Sequence, residues 1–106
     1  MALSDEMCKS NVVALSESEI KDLAPQVPDW SRNNDSIEQE FEFEDFDQAM
    51  NFVDDVADLA AEQNHHPDMF ISYNLVRLTL STHKVGGLSR NDYILAAKID
   101  DLVEEE

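Results

Sequence analysis

Three histidines are the residues best suited to proton chemistry in this 106-residue chain. His65 and His66 are adjacent, preceded by Asn64 and followed by Pro67, and His83 stands alone just before Gly86 and Gly87. None of the three falls inside an apolar stripe. Pro67 restricts the backbone of His66 to extended conformations and so fixes how the pair is presented. Imidazole both donates and accepts a proton near neutral pH, which suits metal-free general acid–base catalysis. It is also a common zinc ligand. Adjacent His on an extended backbone point in opposite directions, however, and the helical His spacing of zinc enzymes is missing, so a metal site ranks below catalysis. The plainest alternative leaves all three as ordinary polar residues at the ends of elements. Spacing alone keeps these readings open.

Whether the His can meet depends on the elements around them. Ser16 with Glu19 writes a capping box, and Ile20, Leu23 and Ala24 give a short apolar face that Pro25 and Pro28 end. Ile37 to Glu44 alternates: Ile37, Phe41 and Phe43 face one way and Glu38, Glu40, Glu42 and Glu44 the other, which predicts a half-buried strand with Trp30 to Arg32 as its hairpin partner. Asp45, with Gln48 three residues on, predicts a second helix whose stripe is Phe46, Ala49, Met50, Val53, Val56, Ala57 and Ala60. Met69 to Thr82 reads as two further strands broken at Tyr73-Asn74, with Val76, Leu78 and Leu80 on the core face. Ser89 opens a last helix, Asp92 completes its capping box, and Leu95, Ile99 and Leu102 form its buried edge.

The expected architecture is α+β: a four-stranded antiparallel sheet with three helices packed on one face, in the order α-β-β-α-β-β-α. Residues 1–14 are polar and unpatterned and read as a mobile segment, and 15–106 as a single domain. If the last two strands turn at Tyr73-Asn74, His65, His66 and His83 return to the same end of the sheet and share one cleft.

Composition removes several classes. The chain has 24 Asp and Glu against 7 Lys and Arg, a formal net charge of -17. That balance disfavours direct grip on nucleic acid or an anionic membrane, because both need clustered cations. The four Glu on one strand face read as a solvated face rather than a cation site. Two glycines are too few for a dinucleotide turn or a phosphate-cradling loop. The single Cys8 excludes an internal disulfide and a cysteine-based zinc site. Met1 to Asn11 has no apolar stretch and contains Asp5 and Glu6, and no run approaches a membrane span, so a cytoplasmic protein is expected.

Several motifs taken together resemble a known family. Asn64-His65-His66-Pro67, then Phe70, Tyr73-Asn74, Leu80-Ser81-Thr82-His83, Gly87-Leu88-Ser89 and Asp92 resemble the pterin-4a-carbinolamine dehydratases. The family pattern is His-His-Pro, an aromatic six positions later, a His ten after that and an Asp nine further on, and Pro67, Tyr73, His83 and Asp92 meet each interval. The resemblance extends from about Leu15 to Val103.

It implies dehydration of 4a-hydroxytetrahydropterin to quinonoid dihydropterin and water, in support of tetrahydrobiopterin recycling for aromatic amino acid hydroxylases. Carried over residue by residue, His65 and His83 are the acid–base pair and His66, grouped with them, mainly holds substrate. Asn64, Pro67, Thr82 and Asp92 are implied as substrate-binding residues, Asp92 with the capping role besides. No cofactor and no metal are implied. The chain departs from many relatives at Ala61 and from some at Met69 and Asn91. The family forms homodimers and homotetramers. Some members act instead as transcriptional dimerisation cofactors or in Rubisco assembly, so a protein partner on a non-catalytic scaffold is the alternative reading.

Overall fold

Ser16 and Asp45 each hold the backbone extended and turn the residues after them into helix, which sets the first two helices of the computed structural model. It describes residues 2–105. Helix α1 spans Glu17–Leu23, and its capping box is complete: Ser16 Oγ accepts the Glu19 N–H at 3.2 Å and Glu19 accepts the Ser16 N–H at 3.0 Å. Helix α2 spans Phe46–Gln63, with Asp45 accepting the Gln48 N–H at 2.9 Å. Gln48 reaches the Glu44 N–H at 3.3 Å, so the box expected there is half formed. Helix α3 spans Arg90–Glu105.

The strands are β1 (Ser31–Asn33), β2 (Ser36–Glu42), β3 (Asp68–Ser72) and β4 (Leu75–Leu80), all antiparallel in the order β1-β2-β4-β3. This is the α+β order anticipated above, with the first strand one residue later than Trp30 to Arg32. Trp30 is instead a core residue. Its indole is buried and its Nε1–H donates to Asp100 Oδ1 at 3.0 Å. Tyr73, with φ at 53°, forms the β3–β4 turn with Asn74, where a break was expected.

The central pair β2–β4 sets Ile37 opposite Leu80 and Phe41 opposite Val76. These four and Leu78 are buried beneath the helices, while Glu40 and Glu42 on the other face are exposed. The apolar face of α2 differs from the expected stripe. Phe46 and Ala57 are exposed, and Phe52 is fully buried between Phe41 and Phe43, with ring centroids 4.9 and 5.1 Å away. The bulky Phe52 turns the helix so that it, and not the small Ala57, faces the sheet. Part of the segment expected to be mobile packs on the body: Leu3 is buried and its 3-10 turn, Leu3–Asp5, contacts α3. A single apolar anchor leaves no periodic trace in sequence. Among the described residues, no helix is long and apolar enough to cross a membrane.

Asp100 on α3 ties that helix to the sheet, since Gln39 Nε2 donates to the same oxygen at 3.1 Å. Burial pushes its carboxyl above the usual Asp range, and the bonds from Trp30 and Gln39 pull the other way. A raised native value means that the folded state holds this proton longer than the unfolded chain. The group's contribution therefore favours folding at low pH and weakens as pH rises through and above the ordinary Asp range. D100N keeps an acceptor without the charge. Its urea midpoint should gain on wild type between pH 4 and pH 7, and an unchanged difference would contradict the assignment.

Candidate active site

The end of α2 is built to deliver a histidine. Asn64 takes the left-handed conformation (φ 53°), and the His65 N–H turns back to Ala60 O at 3.2 Å while Asn64 N–H reaches Ala61 O at 3.3 Å. This paired closure suits Asn and stops the helix at Gln63, two residues before His65. Pro67 then holds the chain extended into β3. On the other side, Thr82 follows β4 and pairs with Gly87, its N–H donating to Gly87 O at 2.9 Å. The loop between them carries His83 in a short 3-10 turn, closed by Gly86 at φ 70°, where a side chain would be strained.

These segments, with residues 8–10, enclose a cleft of about 540 Å³. His65, His66, His83, Asn64 and Thr82 all line it, so the three imidazoles share one site as the topology predicts. His66 and His83 are exposed, and the His65 side chain is 11% exposed. Pro67 is outside the lining and acts through the backbone. Asp92 is also outside it, with no exposed side-chain surface. A direct contact between Asp92 and substrate is therefore replaced by a contact with His65.

His65 Nε2 lies 2.6 Å from Asp92 Oδ1. Asp92 Oδ2 accepts the Thr82 hydroxyl at 2.8 Å and the Ser89 N–H at 3.0 Å. The Thr82 hydrogen is thereby committed, so Ser89 Oγ, 2.7 Å away, donates to Thr82 Oγ1. A carboxylate only accepts, which assigns the proton of a neutral His65 to Nε2 and leaves Nδ1 outside this contact. The expected capping box at Ser89 is thus half present. Asp92 accepts the Ser89 N–H, but the Ser89 hydroxyl turns to Thr82 instead of capping the helix. Asp92 thus holds His65 with one oxygen and the start of α3 and Thr82 with the other.

Cys8, Lys9, Ser10, Gln63, Lys84 and Asn91 also bear on the cleft and were not singled out as site residues from sequence. Lys84 adjoins His83 and Asn91 adjoins Asp92, so proximity to the motifs was the available signal. Residues 8–10 carried none. Among the described residues, no group of three or more His, Cys, Asp and Glu gathers as a metal site would require.

The contact pattern predicts the consequence of Asp92→Asn. An amide cannot accept from both sides, so its NH₂ group must face a former donor. The expected response is transfer of the His65 proton from Nε2 to Nδ1, visible in imidazole ¹⁵N shifts at a pH where the ring is neutral. A stability loss of about 1–3 kcal/mol should accompany it, from buried donors left poorly paired. An unchanged tautomer would contradict the assignment.

The chain is similar to known proteins along most of its length. Residues 13–102 match the family model described as pterin 4 alpha carbinolamine dehydratase. A protein of Chloroflexus aurantiacus named "Putative pterin-4-alpha-carbinolamine dehydratase" is 48% identical over 89 residues, covering 84% of this chain and 96% of that one. One of the same name from Halorhodospira halophila is 36% identical over 107 residues, covering 96% and 98%. The crystal structure of a transcriptional coactivator/pterin dehydratase from Brucella melitensis superposes with a TM-score of 0.79 at 32% identity, covering 84% of this chain and 97% of that one. A pterin dehydratase-like protein identified as a RuBisCO assembly factor shares the fold, with a TM-score of 0.57 at 24% identity over 69% of this chain and 84% of its own. With its His-lined cleft and these likenesses together, the chain belongs to the pterin-4-alpha-carbinolamine dehydratase family.

Proposed function

We propose that the protein is an active dehydratase that converts 4a-hydroxytetrahydropterin, such as the 4a-hydroxy form of tetrahydrobiopterin, to quinonoid dihydropterin and water. The observation that carries this reading is the contact of the buried Asp92 carboxylate with His65 Nε2, beside a cleft that His65 shares with His66 and His83. In the reaction the C4a–O bond and the N5–H bond break, a C4a=N5 double bond forms, and the hydroxyl leaves with one added proton as water. His65 accepts the N5 proton at Nδ1, and the Asp92 carboxylate offsets the charge that develops on its ring. His83 protonates the departing oxygen. His66 and Asn64 hold the pterin, and Thr82 acts through Asp92. No step calls on a cofactor.

The decisive measurement is the loss of freshly generated 4a-hydroxytetrahydropterin. Wild type should outrun the spontaneous reaction, and His65→Ala or His83→Ala should each lower kcat by about 10²–10⁴-fold, the range for lost acid–base catalysis. Wild type no faster than buffer, or a double variant as fast as wild type, would sink the reading. In the former case a protein-binding role, like that in the name of the Brucella transcriptional coactivator, would take its place.

A cytoplasmic homodimer or homotetramer belongs to the same proposal. Strand β3 is an edge strand, and Phe70 and Tyr73 on and beside it are 50% and 64% exposed. Such apolar exposure on an open edge favours self-association. Sedimentation should show an oligomer at micromolar concentration. A monomer alone would refute it.

A further inference from the structure

Residues 3–10 form a strap held at nearly every step by the body of the protein. Leu3 is buried, and Lys98 Nζ donates to Ser4 O at 2.7 Å. Arg90 grips the Glu6 carboxylate with two bonds, at 2.8 and 2.6 Å. The Cys8 N–H donates to Gln63 Oε1 at 2.9 Å. Asn91 clamps Lys9 on both sides, accepting its N–H at 2.9 Å and donating to its carbonyl at 2.7 Å. Lys84 Nζ donates to Ser10 O. Gln63 and Asn91 are themselves buried. Asn91 to Ala96 on α3 are buried without a break, which a helix reaches only when covered on more than one side.

The strap lies outside residues 13–102, the part that matches the family model. It ends in the cleft, where it contributes Cys8, Lys9 and Ser10. Its arrival changes the local charge. The chain holds 24 acidic and 7 basic residues, yet the cleft lining holds Lys9 and Lys84 against the single carboxylate of Glu62. Among the described residues neither lysine is in an ion pair. Lys9 is anchored by its backbone alone, so its ammonium is uncommitted, and Lys84 retains two of its three donors.

We propose that the strap completes the cleft and that Lys9 and Lys84 form a subsite for an anionic substituent, a carboxylate or phosphate, carried by the pterin. The ring chemistry rests on the dehydratase reading, in which the His handle a neutral C4a–N5 unit and need no added cation. Lysines at the mouth of the same cleft therefore select on the substituent. In a chain this acidic, a local pair of cations is what lets an anion approach.

Pterin fluorescence tests this on the full chain at low salt with three probes: 6-methylpterin, pterin-6-carboxylate and the phosphate monoester of 6-hydroxymethylpterin. Wild type should bind at least one anionic probe about tenfold more tightly than the neutral one, and the tighter of the two names the anion. K9E, which leaves every backbone clamp of the strap in place, should abolish that preference, as should K9E/K84E. Equal affinity for all three probes in wild type, or a preference that survives the double variant, would overturn the subsite. Binding needs no turnover. Dehydration without the preference removes the subsite alone, and the preference without dehydration removes the dehydratase reading alone.

Discussion

A carboxylate with no surface in water must find donors on every side, and Asp92 finds three. The Ser89 N–H comes from the start of α3, the Thr82 hydroxyl from the end of β4, and the His65 imidazole from the end of α2. Each is supplied by a different element, so one residue locks three chain segments at one point. Loss of any donor leaves part of a buried charge unpaired, which costs more than an ordinary hydrogen bond contributes. The position of the cleft is therefore set by the folding requirement of Asp92 as much as by the chemistry it supports. Stability and His65 orientation are properties of the same oxygen atoms.

The rest of the scaffold serves that junction. Strands β2 and β4 are central, each paired on both sides, and their buried faces carry α2 and α3. The aromatic group of Phe41, Phe43 and Phe52 fixes α2 against the sheet and so fixes where its last turn ends. Asn64 and Pro67 then turn the chain within four residues from helix to strand. Gly86 does the equivalent after β4. Among the described residues, neither His66 nor His83 has a buried partner comparable to Asp92.

Much of this was legible in the residues. Capping signals at Ser16 and Asp45 and the Ile37–Phe43 alternation are local rules, and they placed the helices and strands within a residue or two. The His set was legible because chain order and a hairpin bring His65 and His83 to one end. What escaped depends on three-dimensional burial. Phe46 and Phe52 both lie on α2, and only the sheet decides which is covered. Asp92 carries the sequence mark of a surface helix cap, and nothing local reveals that His65 lies over it. The strap escaped most completely, because its anchors are side chains meeting backbone groups some 55 to 94 positions away. Such contacts leave no periodicity.

The strap also gives the acidity a second meaning. Most of the negative charge lies on the outer sheet face, the wet side of α2 and the last turns of α3, where it serves solubility. The basic residues are distributed otherwise. Lys84, Arg90 and Lys98, three of the seven, donate to the strap, and Lys9 rides on it. Exposed ion pairs such as Glu6–Arg90 stabilise weakly on their own. The buried amides of Gln63 and Asn91 do more, since each would be unsatisfied if the strap left. Cys8, half enclosed there, has its thiol pushed up to about 11 by burial, so it stays protonated and fills space at neutral pH. Cations and amides therefore converge on one short segment of a strongly acidic chain. Their joint effect is to hold a wall beside the histidines, and the electrostatics of the cleft follow from that wall.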